Sequence, residues 1–297
     1  MTAEKRSQNM NVSPTTWLKR ASWALPVVLA VASTAHAAPG QLPEEVFDGL
    51  VETSPHKNYL SQSQQNRMMM PDNPAWCVVE DGEKLFNEPR GPKNVPMSKC
   101  DFGKGPGVLD GAYVELPRYF ADTGKVMDLD SRLEHCMKTL QGYTDADPAV
   151  KQKNGSNSDV MKLQAYIASK SGGYAWNPPM EHPLEKAMRN AGEVMFYRRS
   201  SVMDFACATC HSQPDKRIRA SYLPSITVPE EWTKAISWPA YRVGHDNVRS
   251  SQHRLTGCFW QMRYPHAKNG SDATIALLSF WTDAARGQPA ILPDMKR

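Results

Sequence analysis

The sequence predicts a mainly α-helical chain in which one module runs twice in tandem, the second copy keeping a cysteine motif that the first has lost. Three observations carry this expectation. Four short stretches recur in the same order, their apolar residues fall at the spacing of one helix face, and Cys-x-x-Cys-His occurs once, at Cys207, Cys210 and His211. The recurring pairs are DGEKLF (81–86) with AGEVMF (191–196), Cys100 with CATCH (207–211), SRLEHCM (131–137) with HRLTGCF (253–259), and LQAYIAS (163–169) with LLSFWTD (277–283). One or two such matches arise by chance, whereas four in one order point to internal duplication.

Residues 1–37 read as a secretory signal peptide. Lys5, Arg6, Lys19 and Arg20 form a basic start, WALPVVLAVA (23–32) an apolar stretch, and Ala35 and Ala37 flank His36 as an A-x-A cleavage site. About ten apolar residues interrupted by Pro26 are too few to cross a bilayer, which takes ~20. The chain is therefore expected to be cut before Ala38 and exported to the periplasm, with no membrane insertion of the mature part. The formal charge of +4 owes most of its excess to this leader and falls to about +1 in the remaining 260 residues. That balance gives no support to nucleic-acid binding. All six cysteines lie in the exported part, where an oxidising compartment permits disulfides.

Residues 38–72 are polar and are expected to form an irregular N-terminal extension. The first copy is then expected over 73–175 and the second over 176–297, with the junction in SKSGGYAWNPPMEHP (169–183), where Gly and Pro cluster. In each copy a Gly-Glu-x-x-Phe helix leads to a cysteine, Arg-Leu-x-x-Cys follows, and a final helix closes the unit. Strand signals are weak. Loops rich in Pro and Gly, such as FNEPRGPKNVPMSK (86–99), suit a fold wrapped around a cofactor better than one of long helices.

Cys207 and Cys210 stand one helical turn apart, so both thiols reach the two vinyl groups of one haem while His211 turns its imidazole toward the iron. Half of a zinc site and a redox disulfide are the other uses of this spacing. Opening helix, haem motif, ligand segment and closing helix make up the plan of a small cytochrome c domain. The expected fold class is accordingly mainly α, with two tandem cytochrome c-like domains of which only the second binds haem. At the corresponding place the first copy reads CDFGK (100–104), with one thiol and no histidine ligand, so attachment through two thioethers is impossible there. One covalently bound haem c is expected. The first copy keeps Cys77, Cys100 and Cys136, and Cys100 and Cys136 hold the repeat positions that face the haem cavity in the second. A disulfide between those two is the preferred pairing, worth roughly 2–4 kcal/mol, with Cys77–Cys100 and Cys77–Cys136 left open.

The group opposite His211 decides between carrier and catalyst. Downstream donors are His245, His253, Cys258, Met262 and His266. Methionine or histidine would make a plain electron-transfer cytochrome, and a haem serving only the fold of a docking subunit is a third class. Cys258 points to catalysis instead: iron favours its thiolate, and Arg254, four residues earlier, adds positive charge. Arg254 and Arg263 bracket Cys258 and suit a small dianion. Arg254 is the stronger candidate, because its spacing recurs as Arg132 to Cys136. Lys216, Arg217 and Arg219 follow the haem motif as entrance residues or as surface charge.

NPAW (73–76), KCDFGKGPGVLDGAYVELPRYFADTGKVMDLDSRLEHCM (99–137), CATCH and RLTGCFWQMR (254–263) resemble SoxA, the family of catalytic subunits of the SoxAX cytochromes of bacterial sulfur oxidation. The resemblance covers most of the chain beyond the leader. It implies two fused cytochrome c domains, and the lone Cys100 makes this chain similar to members that keep only the second haem. Lys104 departs from the two-haem pattern and argues against an electron-relay role for the first domain. The implied activity is that of an L-cysteine S-thiosulfotransferase, which joins thiosulfate oxidatively to a cysteine on the mobile arm of the SoxYZ carrier and passes two electrons to cytochrome c. By the same resemblance Cys207 and Cys210 attach the haem, His211 and Cys258 ligate its iron, Cys258 is the catalytic cysteine, carried as a persulfide, and Arg254 binds substrate. One haem takes one electron, whereas forming a sulfur–sulfur bond releases two. A SoxX-like cytochrome subunit is the implied heterodimer partner.

Overall fold

The computed structural model describes residues 72–296 apart from 154, 156, 157, 219 and 220. The signal peptide expected over 1–37, and all but the last residue of the 38–72 extension, lie outside the described residues. What remains is mainly helical. The first half contains α1 (Ala75–Asn87), the hairpin β1 (Arg118–Phe120) and β2 (Lys125–Met127), then α2 (Leu129–Thr139) and α3 (Asp159–Ser169). The second contains α4 (Pro183–Tyr197), the short α5 (Cys207–His211), α6 (Pro229–Ile236), the hairpin β3 (Ala240–Arg242) and β4 (Asn247–Arg249), α7 (Ser251–Met262) and α8 (Asp272–Ala284). A final strand, β5 (Asp294–Lys296), pairs in parallel with β3, Ala240 facing Asp294.

Local chemistry starts several of the helices. Asp128 accepts the Ser131 amide at 3.0 Å while the Ser131 hydroxyl accepts the Asp128 amide at 3.0 Å, a reciprocal cap that opens α2. Ser158 and Ser250 cap α3 and α7 by accepting the amides of Met161 and His253. Pro183 and Pro229 sit in the first turns of α4 and α6, where the missing N–H costs nothing.

The same helix crossing is built twice. α1 packs against α3 and α4 against α8, with a glycine at each point of closest approach. A Cβ on Gly82 would lie 2.1 Å from the Lys162 carbonyl oxygen, and one on Gly192 would lie 1.9 Å from that of Ala276. Only glycine lets two backbones come so close. Four residues on, buried Phe86 meets Tyr166 at 5.4 Å between ring centroids, and buried Phe196 meets Phe280 at 5.3 Å. Burying each ring contributes about 2–3 kcal/mol, so the crossings anchor both halves.

The hairpins that precede α2 and α7 were not evident from the sequence, because strands of three residues are too short for alternation to register. Once placed, they extend the repetition. Tyr119 matches Tyr241, Val126 matches Val248, Arg132 matches Arg254 and Cys136 matches Cys258, with no insertion between them.

The interiors differ. Between the helices of the first half, Met97, Cys100, Phe102 and Leu133 are fully buried, and Cys100 is joined to Cys136 by a disulfide. The CDFGK segment closes on itself: the Asp101 carboxylate accepts the Gly103 and Gly105 amides at 2.6 and 2.8 Å, and Lys104 pairs with Glu115 at 3.0 Å. Cys77 lies exposed on α1. The halves share one apolar core, and the segment joining them is held by the C-terminal stretch. There the Gly173 amide donates to Ala290 O at 2.9 Å, the Ala290 amide to Tyr174 O at 2.8 Å, and the Trp176 amide to Gln288 O at 2.9 Å. No helix among the described residues is long and apolar enough to cross a membrane.

Candidate haem and sulfur site

The Cys-x-x-Cys-His segment forms the one-and-a-half turns of α5, and its neighbours hold it in place. Thr209 Oγ accepts the Ala206 amide at 2.9 Å, Ser212 Oγ donates to Ala208 O at 2.6 Å, and Lys216 Nζ donates to Thr209 O at 2.6 Å. His211 Nδ1 lies 2.8 Å from Pro224 O. A carbonyl only accepts, so Nδ1 carries the proton and Nε2 keeps its lone pair for a metal. The imidazole also meets the Trp232 indole edge-on at 5.6 Å. Burial lowers the His211 pKa, the Pro224 carbonyl opposes that, and the Arg254 charge reinforces it. The ring is therefore neutral, as a metal ligand must be.

Burial pushes the Cys207 thiol up to about 12, and the Cys258 sulfur adds to the effect. Burial raises the Cys210 thiol too, again with Cys258 adding to it, while Lys216 opposes. Cys258 on α7 thus lies near enough for its charge to act on both cysteines of α5. The other downstream donors are placed differently. Met262 packs into the core, His266 is exposed, and His245 and His253 face each other at 5.8 Å on the β3–β4 side. Cysteines one turn apart, an imidazole with a free Nε2, and a further sulfur in their neighbourhood form a donor set that fits a covalent haem with histidine and cysteine on its iron.

Arg254 sits one turn before Cys258 on the same helix, and no carboxylate among the described residues pairs with it. Its surroundings are basic. Arg249 Nε donates to His245 Nδ1 at 3.3 Å, His245 meets His253, and burial, then Arg249, His245, Arg242 and Arg254, depress the His253 pKa to about 4. Arg263 is turned elsewhere: its guanidinium stacks on exposed Trp260 at 4.7 Å and donates to Trp260 O at 2.9 Å, closing the end of α7. Lys216 is tied to the α5 backbone, Arg217 lies over Tyr222 at 5.1 Å, and Arg219 is outside the described residues.

Sequence reasoning singled out His245 only as a possible iron donor and missed Arg242 and Arg249, which the β3–β4 hairpin delivers with it, and also Trp232 against His211. A signal for the hairpin was present in the pattern Tyr-x6-Val-x5-Arg-Leu-x2-Cys, which occurs from Tyr119 to Cys136 and again from Tyr241 to Cys258.

Known proteins resemble this chain. The family model described as the SoxA/TsdA cytochrome c domain matches residues 81–175. An L-cysteine S-thiosulfotransferase subunit SoxA from Hydrogenophilus thermoluteolus is 42% identical over 228 residues, covering 76% of this chain and 83% of that protein. A subunit of the same name from Hydrogenobacter thermophilus is 31% identical over 221 residues, covering 74% of this chain and 83% of that one. The solved structure of SoxXA from P. pantotrophus superposes over 77% of this chain and 80% of that chain with a TM-score of 0.63, at 23% identity, a likeness of fold.

Proposed function

The chain belongs to the SoxA family of L-cysteine S-thiosulfotransferase subunits, and on that premise we propose that Cys258 is the sulfur at which thiosulfate is joined to the cysteine of a SoxY-type carrier. The observation that carries this reading is the position of Cys258. It lies near enough for its charge to act on both Cys207 and Cys210, and it stands one turn beyond an arginine that no described carboxylate neutralises.

In this reading Cys207 and Cys210 attach one haem c, and His211 and Cys258 hold its iron. The first domain, 73–175, has lost its haem site and uses the Cys100–Cys136 disulfide and buried Phe102 as core. Bound haem supplies a one-electron acceptor. Arg254 binds the sulfonate oxygens of thiosulfate through charge-assisted hydrogen bonds and so aims the outer sulfur at Cys258, or at its persulfide. The bond formed there is sulfur to sulfur, and two electrons leave. The carrier thiolate then attacks the captured outer sulfur, the bond joining it to Cys258 or to the persulfide breaks, the whole thiosulfate unit passes to the carrier and the thiolate or persulfide is restored, so covalent capture divides a hard oxidation into two transfers. Two electrons need two acceptors, which supports a SoxX-like cytochrome as heterodimer partner. The leader assigns the reaction to the periplasm.

The test is the low-temperature electron paramagnetic resonance spectrum of the oxidised, haem-loaded protein beside that of Cys258→Ala. A low-spin histidine–thiolate signal that vanishes in the variant, together with loss of thiosulfate-dependent cytochrome reduction, is expected. An unchanged spectrum would leave an electron-transfer cytochrome with a methionine or histidine ligand as the better account.

A further inference from the structure

A cavity of about 30 Å³ lies on the seam between the two halves, bounded by Tyr113, Asp128 and Asp130 from the first and by Ser251, Gln252 and Trp281 from the second. A water needs roughly 10–15 Å³ measured in this way, so the space suits one water, or two at most. We infer that this seam is a built water site, in which an ordered water accepts the indole N–H of Trp281 and donates to the side-chain oxygen of Gln252.

Two buried polar atoms set the requirement. Gln252 is 1% exposed and Trp281 6% exposed, and neither Gln252 Oε1 nor Trp281 Nε1 has a hydrogen-bond partner among the described residues. The amide of Gln252 cannot be turned over to relieve this. Its Nε2 donates to Asp128 Oδ2 at 2.8 Å, and a carboxylate facing it accepts only, so the oxygen must be the atom left over. The indole nitrogen of Trp281 is a donor only. Leaving either atom bare is costly in a dry interior.

The rest of the lining selects the ligand. Asp128 is occupied by the Ser131 amide and hydroxyl as well as by Gln252, and Asp130 by Lys153 and Gln164. A cation would meet the positive edge of the indole N–H, and an anion would meet two carboxylates. A small neutral molecule with both a donor and an acceptor satisfies the pair. The second hydrogen of a water also has an acceptor at hand: Tyr113 donates its hydroxyl to Trp238 O and stands 3.4 Å from Ser251 Oγ, which leaves lone pairs on both oxygens. The water so placed ties the first turn of α7, the helix that carries Arg254 and Cys258, to α8. Through Gln252 and Asp128 it also ties α7 to the cap of α2.

The test is a crystal structure of the haem-loaded protein at a resolution that shows ordered waters, with a solution count of long-lived waters by oxygen-17 relaxation dispersion for wild type and Trp281→Phe. A solvent peak within hydrogen-bond distance of Trp281 Nε1 and Gln252 Oε1, and a long-lived count lower by about one in the variant, is the expected result. An empty cavity, an anomalous peak marking an ion, or Trp281 donating directly to Gln252 would overturn the inference. So would an unchanged count in a folded variant. The wild-type map decides the matter even where the variant does not fold.

Discussion

Arg132 and Arg254 occupy the same place in the two halves, four residues before Cys136 and Cys258, yet only Arg132 is clamped by a carboxylate. Asp122 takes its Nη1 at 2.9 and 2.8 Å, the Asp101 carbonyl takes its Nε at 2.8 Å, and the Phe120 ring lies 4.1 Å beneath the guanidinium. In the second half the counterpart of Asp122 is Gly244 and that of Phe120 is Arg242. Among the described residues no carboxylate replaces the clamp, and the arginine stands one turn before Cys258. In the first half the arginine serves structure, and in the second no described carboxylate takes up its charge.

Restoring the clamp should therefore weaken substrate binding. A Cβ at Gly244 meets nothing within 4 Å, so Gly244→Asp is sterically free. Drawing Arg254 into an ion pair removes a charge-assisted hydrogen bond to thiosulfate, worth about 1.5–3 kcal/mol. The expected outcome is a fall in kcat/KM for thiosulfate of about tenfold or more, with the thermal midpoint unchanged and Gly244→Asn close to wild type. Steady-state kinetics with partner and carrier present checks this, and equal KM values in wild type and Gly244→Asp would remove Arg254 from the substrate site.

The two glycine crossings give a second contrast. A methyl group on Gly82 or Gly192 would run into a backbone carbonyl, which cannot swing aside as a side chain can. Forcing the helices apart costs typically 1–3 kcal/mol, with lost contacts around Phe86 or Phe196 in addition. Both Gly82→Ala and Gly192→Ala should lower the melting temperature by several degrees. Only Gly192→Ala, on the helix that packs against the haem motif, should also reduce haem incorporation, read as the ratio of Soret to protein absorbance. Equal haem content in the two variants would show that the crossings are not divided in this way.

These contrasts explain what could be read from the sequence. Cys207, Cys210, His211, Cys258 and Arg254 stand in fixed local spacings, and chemistry at such spacings is visible without a fold. The glycines were visible only as repeated letters, because their reason is a helix distant in sequence. Arg242 was hidden more deeply, and His245 was visible only as a possible iron donor. Their role comes from a hairpin of three-residue strands that turns them toward α7, and charged residues in a loop read as surface until that hairpin is placed.

The Cys100–Cys136 bond separates stability from the haem. It closes a span of 36 residues, for which loop entropy gives roughly 3–4 kcal/mol. Cys100→Ala with Cys136→Ala should lower the unfolding free energy by about that amount and leave the haem spectrum and its histidine–thiolate signature unchanged. Denaturant titration with and without reductant measures the first, and optical and magnetic spectra the second. A spectral change would mean that the first half contributes directly to the iron site.

Acid should destabilise the basic face of the second half first. His253 has its pKa depressed to about 4 by burial and by Arg249, His245, Arg242 and Arg254, against an ordinary value of about 6.5. Between these values the unfolded chain binds a proton that the folded chain refuses, so stability rises with pH through this window and is complete above it. It is lost as pH falls from about 6.5 toward 4. His245 and His135, also lowered chiefly by burial, act in the same direction. Carboxylates with lowered values, such as Glu134 between Lys138 and Lys153, lose their contribution only at more acid pH. Melting temperatures of the haem-loaded protein from pH 4 to pH 8 should therefore slope upward and level off near neutrality. His253→Gln, which keeps a polar side chain of similar reach without the titration, should flatten the upper part of that slope. An identical slope in the variant would place the acid sensitivity elsewhere and remove the reason for regarding the cations around Arg254 as one electrostatic unit.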